Sequence, residues 1–254
     1  MNSQGSPDLF IRKGTLKFPR GTGDGWSLET PDLHLEPKTL YSLKGPNMSG
    51  KSTLLMILAG LWRSRESTSA VEFDILTDVF CGSKYDPVQA LLMSTQDRLF
   101  PDLTILQNVM VMQGRSISNS RSSRENLRSK LKSFLDQHDI FANITNKNGD
   151  RTSGLVGELS TGARTYVHLA RAYCHSPRYL LIDELTSNLD DKNAELFFET
   201  LKKDCIQQQN GGAVMIAHND DHHQIFKDVA KAANFNYNEL NIGLECNVLK
   251  LRVA

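Results

Sequence analysis

The chain has 254 residues, 39 % of them hydrophobic, enough to bury the core of one large or two small domains. Its 29 basic and 29 acidic side chains cancel, so no overall field favours nucleic acid or an anionic lipid surface. Cys81, Cys174, Cys205 and Cys246 are too dispersed for a disulfide framework or a metal clip and read as reduced cytosolic thiols.

Residues 1–8 are polar, with no basic stretch leading into an apolar core, so no secretory leader is expected. Trp26-Ser27-Leu28 reads as the start of a strand. Short apolar runs then alternate with longer amphipathic ones, the pattern of an α/β sheet covered by helices. Strands are predicted over Thr39–Lys44, Ala90–Ser94, Tyr179–Asp183 and 213–217, and helices over 50–61, 105–112, 162–174, 191–208 and 222–232. The most apolar run, 54–62, falls far short of the roughly 20 residues that cross a bilayer, so any membrane part is expected from another polypeptide. Residues 98–158 lack strand signals and are expected to form a helical subdomain, inserted in a core made of about 1–97 and 159–254. Within it, a Ser/Arg-rich stretch from 115 to 130 is expected to be a loop passing into a helix. Arg115, Arg121, Arg124 and Arg128 there read as a solvated face rather than a docking patch.

Gly45-Pro46-Asn47-Met48-Ser49-Gly50-Lys51-Ser52 fits the phosphate-loop pattern G-x-x-x-x-G-K-S/T, between a predicted strand and a predicted helix. Glycines let backbone N–H groups close on phosphate oxygens, and the following helix aims its positive end at the same anion. Lys51 is then expected to bridge the β- and γ-phosphates and the Ser52 hydroxyl to ligate Mg²⁺, with Thr53 counted among the nucleotide-binding residues. Tyr179-Leu180-Leu181-Ile182-Asp183-Glu184 is an apolar strand ending in two adjacent carboxylates, which repel unless a cation or a mechanism uses them. Asp183 is expected to hold Mg²⁺ and Glu184 to polarise the attacking water.

Leu159-Ser160-Thr161-Gly162-Ala163, opening a helix shortly before that strand, resembles the signature motif LSGGQ of the ATP-binding cassette family. Gln96 resembles the family's Q-loop glutamine, Ser187-Asn188-Leu189-Asp190 its D-loop, and His218 its switch histidine. The resemblance implies a P-loop NTPase core with a parallel sheet, an antiparallel β N-terminal part and an inserted helical subdomain. It further implies an ATPase using ATP and Mg²⁺, whose two copies pair head to tail around the nucleotides. Ser160 and Gly162 would reach the γ-phosphate bound to the opposite chain, and Asp190 is counted with the nucleotide-binding residues. Gln96 would contact Mg²⁺ or the water, and His218 would hold the γ-phosphate. An aromatic residue stacks on the adenine in this family, and Phe18 is preferred over Trp26 for that role.

The same resemblance implies an integral membrane transporter subunit as partner, as a separate chain or fused in a longer parent. The cassette would be peripheral, on the cytoplasmic face, with no nucleic acid partner. The segment 103–109 resembles separately encoded ATPase subunits. The alternative is a cassette ATPase serving an assembly or repair complex without transport. Thr161, Ala163 and Leu185 depart from the family pattern and bear on the rate of hydrolysis more than on its chemistry. Asn47-Met48 also resembles mismatch-repair ATPases, whose carboxylate strand ends differently. The string from His218 to His223 suggests a metal site, but His222 and His223 are adjacent and diverge on a helix.

Overall fold

The computed structural model describes residues 9–11, 14–20, 23–59, 90–95, 99–111, 121–141, 150–187, 189–206, 211–217, 220–245 and 248–253. The chain opens with β1 (Leu9–Ile11), β2 (Gly14–Arg20), β3 (Gly23–Thr30), β4 (Leu33–Leu35) and β5 (Thr39–Lys44). Next come α1 (Lys51–Leu58), β6 (Ala90–Ser94), α2 (Ile105–Met110) and α3 (Arg121–Gln137). Then α4 (Thr161–His175), β7 (Tyr179–Asp183), α5 (Asp191–Thr200) and β8 (Gly212–Ile216) follow, with α6 (Asp220–Ala232), β9 (Asn236–Glu245) and β10 (Val248–Val253) closing the fold.

Eight strands form one sheet in the order β2-β3-β10-β9-β5-β8-β7-β6, and β1 pairs separately with β4. The five strands from β9 to β6 run parallel, whereas β2 and β3 are antiparallel to each other and β10 is antiparallel to β9. All five residues of β7 and of β8 are buried, as are the first five of β5, because helices or strands cover both faces. That burial explains why β7 and β8 read as apolar runs, and why the buried polar residues within β5 are the small Thr39 and Ser42.

Side chains alternate between two cores. Leu40, Leu180, Ile182, Ala213 and Met215 face residues of α2 to α6. Their neighbours Tyr41, Leu181, Val214 and Ile216 face Leu54, Leu55, Ile57 and Leu58 of α1 together with Leu9, Leu33 and Leu35 of β1 and β4. Helix α1 therefore lies on one face of the sheet and the later helices on the other.

The Ser/Arg-rich stretch from 115 to 130, expected to pass from loop into helix, is helical from Arg121, where Leu127, Leu131, Phe134 and Leu135 give it a buried stripe; residues 115–120 lie outside the described residues. Arg128 on its outer side pairs with Asp150. The helix read as 191–208 ends at Thr200 and continues as a π-helical turn over Leu201–Ile206. The wider turn leaves Leu201, Asp204 and Ile206 buried, and Asp204 meets His138 at 3.2 Å. Among the described residues no helix is long and apolar enough to cross a membrane.

The segment 103–109 owes its shape to two local devices. Thr104 caps α2 in a reciprocal capping box with Gln107. The fully buried Asn108 side chain accepts from the Phe100 N–H and donates to the carbonyls of Phe100, Leu103 and Thr104. Helix α4 then grips the end of α2, with Arg171 donating to Asn108 O at 2.9 Å and His175 to Val109 O at 2.8 Å.

Inside α4, His168 is 5 % exposed and its Nδ1 has no hydrogen-bond partner among the described residues. Burial, helped by the Arg171 charge, pushes its imidazole down to about 3. Because the unfolded imidazole protonates near 6.5, the unfolded state takes up a proton first as pH falls. This histidine should therefore cost about 1.4 kcal/mol of stability per pH unit between roughly pH 6.5 and 3, and nothing above that window. Replacing it, His168→Leu, is expected to flatten the stability profile on the acid side, measured by urea denaturation from pH 7 to 4. An unchanged slope would mean that another group supplies the acid sensitivity.

Candidate active site

Because β5, β6, β7 and β8 are parallel, their carboxyl ends share one rim of the sheet. The chain leaves β5 for α1 on one face, while the helices flanking β7 and β8 lie on the other, so this rim is a topological switch point where α/β sheets bind ligands.

The loop after β5 needs its glycines. Gly45 has φ 152°, and a Cβ there would stand 2.8 Å from the Ile242 carbonyl oxygen of β9. Gly50 adopts φ 86° and caps α1 without a side-chain bond, leaving the first N–H groups of the helix free to face an anion. Met48 also has positive φ and is 79 % exposed. The Ser49 hydroxyl is buried without a hydrogen-bond partner among the described residues. Lys51, 8 % exposed, donates to the carbonyls of Gly45 and Pro46, each at 2.8 Å, which folds its ammonium into the loop. Burial lowers its pKa, and the charges of Glu184 and Asp183 partly offset this.

Across the rim, Ser52 Oγ donates to Asp183 Oδ1 at 3.0 Å, and Ser94 Oγ at the end of β6 donates to Oδ2 at 3.4 Å. Burial raises the Asp183 pKa, as does the charge of Glu184, while the two hydroxyls favour the carboxylate. A buried carboxylate beside a hydroxyl is an oxygen ligand set suited to Mg²⁺, and a glycine cradle closed by backbone is suited to phosphate. Glu184 turns the chain with φ 54°, held by its N–H on Ile216 O at 3.1 Å. Leu185, where the family commonly has proline, buries its side chain in the helical-face core.

Ser160 and Gly162 lie apart from this cluster in sequence, at the start of α4. Ser160 is its N-cap and accepts from the Ala163 N–H at 3.2 Å. Thr161 is exposed and Ala163 is 2 % exposed, so the position of the family's glutamine is part of the core here. A Cβ on Gly162 would meet Ile140 at 3.8 Å and Leu189 at 4.0 Å, ordinary contacts. Asp190 caps α5, with both carboxylate oxygens engaged by Asn193.

Phe18 and Trp26 are register partners in β2 and β3. Gln96, Asn188 and His218 lie outside the described residues. Sequence reading missed Ser94, Ser42 and Thr186. Ser94 had a signal, a hydroxyl ending an apolar strand, but its register with Asp183 is set by the sheet.

The model of the family described as ABC transporter matches residues 28–187. The chain belongs to the ABC transporter family. It is an ATP-hydrolysing cassette of that family. It is 27 % identical over 75 % of its length to a ribose import ATP-binding protein of Oceanobacillus iheyensis, but spans only 36 % of that relative. It is 30 % identical over 87 % of its length to a lipoprotein-releasing system ATP-binding protein of Granulibacter bethesdensis, covering 92 % of it. Its fold matches a dimeric ATP-binding cassette in a post-hydrolysis state bound to ADP and Pi, with a TM-score of 0.58 at 20 % identity, covering 96 % of this chain and 97 % of the other.

Proposed function

We propose that the cassette hydrolyses ATP with Mg²⁺ at the rim of β5 and β7 and pairs head to tail with a second cassette. The pair would work on the cytoplasmic face of a membrane, driving an integral transporter subunit. The observation that carries this reading is that Lys51, folded onto the Gly45 and Pro46 carbonyls at 2.8 Å, lies within electrostatic reach of Asp183 and Glu184, while Ser52 is bonded to Asp183 at 3.0 Å. The Gly45–Gly50 loop would cradle the phosphates, Lys51 would neutralise the β- and γ-oxygens, and Thr53 would lie next to the bound nucleotide on α1. Mg²⁺, held by Ser52 and Asp183, would offset charge developing on the phosphate oxygens. Glu184 would accept the proton of the attacking water. Gln96 and His218 are assigned to the water and the γ-phosphate, and Phe18 to the adenine.

Pairing is supported by Gly162. Among the described residues a Cβ there would meet only ordinary contacts, and glycine leaves the N–H at the start of α4 unobstructed for a second chain. An exposed Ser160 at the N-terminus of a 15-residue helix is a suitable anion site for a phosphate bound to another cassette. The test is Ser160→Arg. Nucleotide affinity of the single chain should stay within about twofold, because Ser160 is no part of its own phosphate loop, while turnover should fall by roughly a hundredfold or more. Equal loss of both would place Ser160 in a local site and remove the argument for pairing. Co-purification with an integral membrane protein tests the partner.

A further inference from the structure

The first turn of α6 carries two buried histidines that the proposed mechanism does not use, His222 at 2 % and His223 at 5 % exposure. Successive helix residues point about 100° apart, so the two rings reach different loops. Among the described residues no group of three or more His, Cys, Asp or Glu is arranged to hold a metal. His222 Nδ1 lies 3.1 Å from Thr186 Oγ1, and Thr186 is two residues beyond Glu184 and itself 1 % exposed. The Thr186 carbonyl in turn accepts from the Leu189 N–H, at the start of the segment leading to Asp190.

His223 makes a bridge. Its Nε2 is 3.0 Å from the carbonyl oxygen of Ala217, the residue directly before His218. A carbonyl only accepts, so Nε2 carries the proton and Nδ1 accepts from the Ser42 hydroxyl. Ser42 is fully buried in β5, three residues before Gly45, and pairs in register with Met215 of β8 and Glu239 of β9. Burial lowers the His223 pKa, which favours the neutral ring in which Nδ1 accepts.

We propose that His222 and His223 are positioning residues for hydrolysis. His222 fixes the turn that follows Glu184, and His223 locks the end of β8, and with it the residue preceding His218, to the strand that feeds the phosphate loop. One helical turn thereby ties together the three segments that must move as a unit around the γ-phosphate. This inference rests on the proposed roles of Glu184 and His218.

Side-chain amides distinguish positioning from mere filling. The Gln amide nitrogen reaches about where histidine Nε2 does, and the Asn amide about where Nδ1 does, so His222→Asn retains the Thr186 contact and His223→Gln retains the Ala217 contact while giving up the one to Ser42. The swapped pair keep polarity but lose those contacts, His223→Asn the one to Ala217 and His222→Gln the one to Thr186. In the purified chain, each swapped variant is expected to lose kcat by about tenfold or more, with KM and the affinity for a fluorescent ATP analogue changed by no more than about threefold. His222→Asn should retain kcat within about threefold, and His223→Gln, which keeps one side of the bridge, should fall between the parent and His223→Asn. Thr186→Val against Thr186→Ser tests the same contact from the other side, with only valine losing kcat, and serves if a histidine variant does not fold. The proposal is overturned if kcat is unaffected by the swapped variants, or if matched and swapped variants lose kcat together in step with their melting temperatures. Glu184→Gln separates the two readings: turnover surviving in it sinks the site assignment itself. Turnover lost there but kept in the swapped histidine variants sinks only this inference.

Discussion

Glu184→Gln is expected to stop ATP turnover while leaving nucleotide binding in place. The backbone bond that shapes this turn, from the Glu184 N–H to Ile216 O, does not involve the side chain, so the positive-φ turn should persist. Glutamine keeps the size and one acceptor but cannot take a proton from water. Lys51, Ser52 and Asp183 remain to engage nucleotide and Mg²⁺, so the substrate should still bind. A rate loss on the order of 100- to 10,000-fold is the expected scale for a missing general base. If two cassettes close around ATP and hydrolysis reopens them, the same variant should accumulate as a dimer with ATP but not with ADP, visible by gel filtration. Removing one negative charge from the rim also favours closure, so the dimer is informative only together with lost turnover. Near-parental turnover would transfer the role of orienting water to another residue, His218 first.

Lys51→Met should separate binding from stability. The ammonium is buried on two loop carbonyls, and burial lowers its pKa, so at neutral pH the charged form is held at a cost that the unfolded chain does not bear. Methionine fills a similar volume without that cost, and the melting temperature of the nucleotide-free chain should stay level or rise. Nucleotide binding should collapse, since the phosphates lose their placed cation. A loss of about 3 kcal/mol, more than a hundredfold in affinity, is the expected size. Lys51→Arg should not rescue, because a planar guanidinium cannot sit on the same two carbonyls in so tight a turn. Isothermal titration with an ATP analogue and a thermal melt on the same samples decide the matter. Parental affinity in the methionine variant would remove Lys51 from the site.

Some elements were legible because one physical constraint dominated them. Strands β5, β6 and β7 fall on the runs that predict them, since burial on both faces selects apolar residues and admits small hydroxyls such as Ser42 only where a partner meets them. Helix α3 shows the opposite case. Its Ser/Arg-rich start suggested a loop passing into a helix without saying where, and the spacing of Leu127, Leu131, Phe134 and Leu135 marks the buried stripe. The change to a π-helical turn after Thr200 left no trace in composition, because it is decided by where Asp204 and Ile206 find their places in the packed interior.

The sequence by itself determined the chemistry-bearing groups: a phosphate loop whose glycines and lysine are contiguous, a carboxylate pair at the end of an apolar strand, and a serine at a helix start. Each is a local pattern, and local patterns survive in one dimension. Only the tertiary structure decided what holds those groups. Ser94 reaches Asp183 from 89 residues away, and Ser42 reaches His223 from 181. Such contacts depend on strand order and on which face of a helix turns inward, neither of which a single chain's residue types encode at the positions concerned. His222 and His223, expected from their adjacency to diverge on a helix, are turned apart by α6, one toward the segment after Glu184 and the other toward the strand that feeds the phosphate loop.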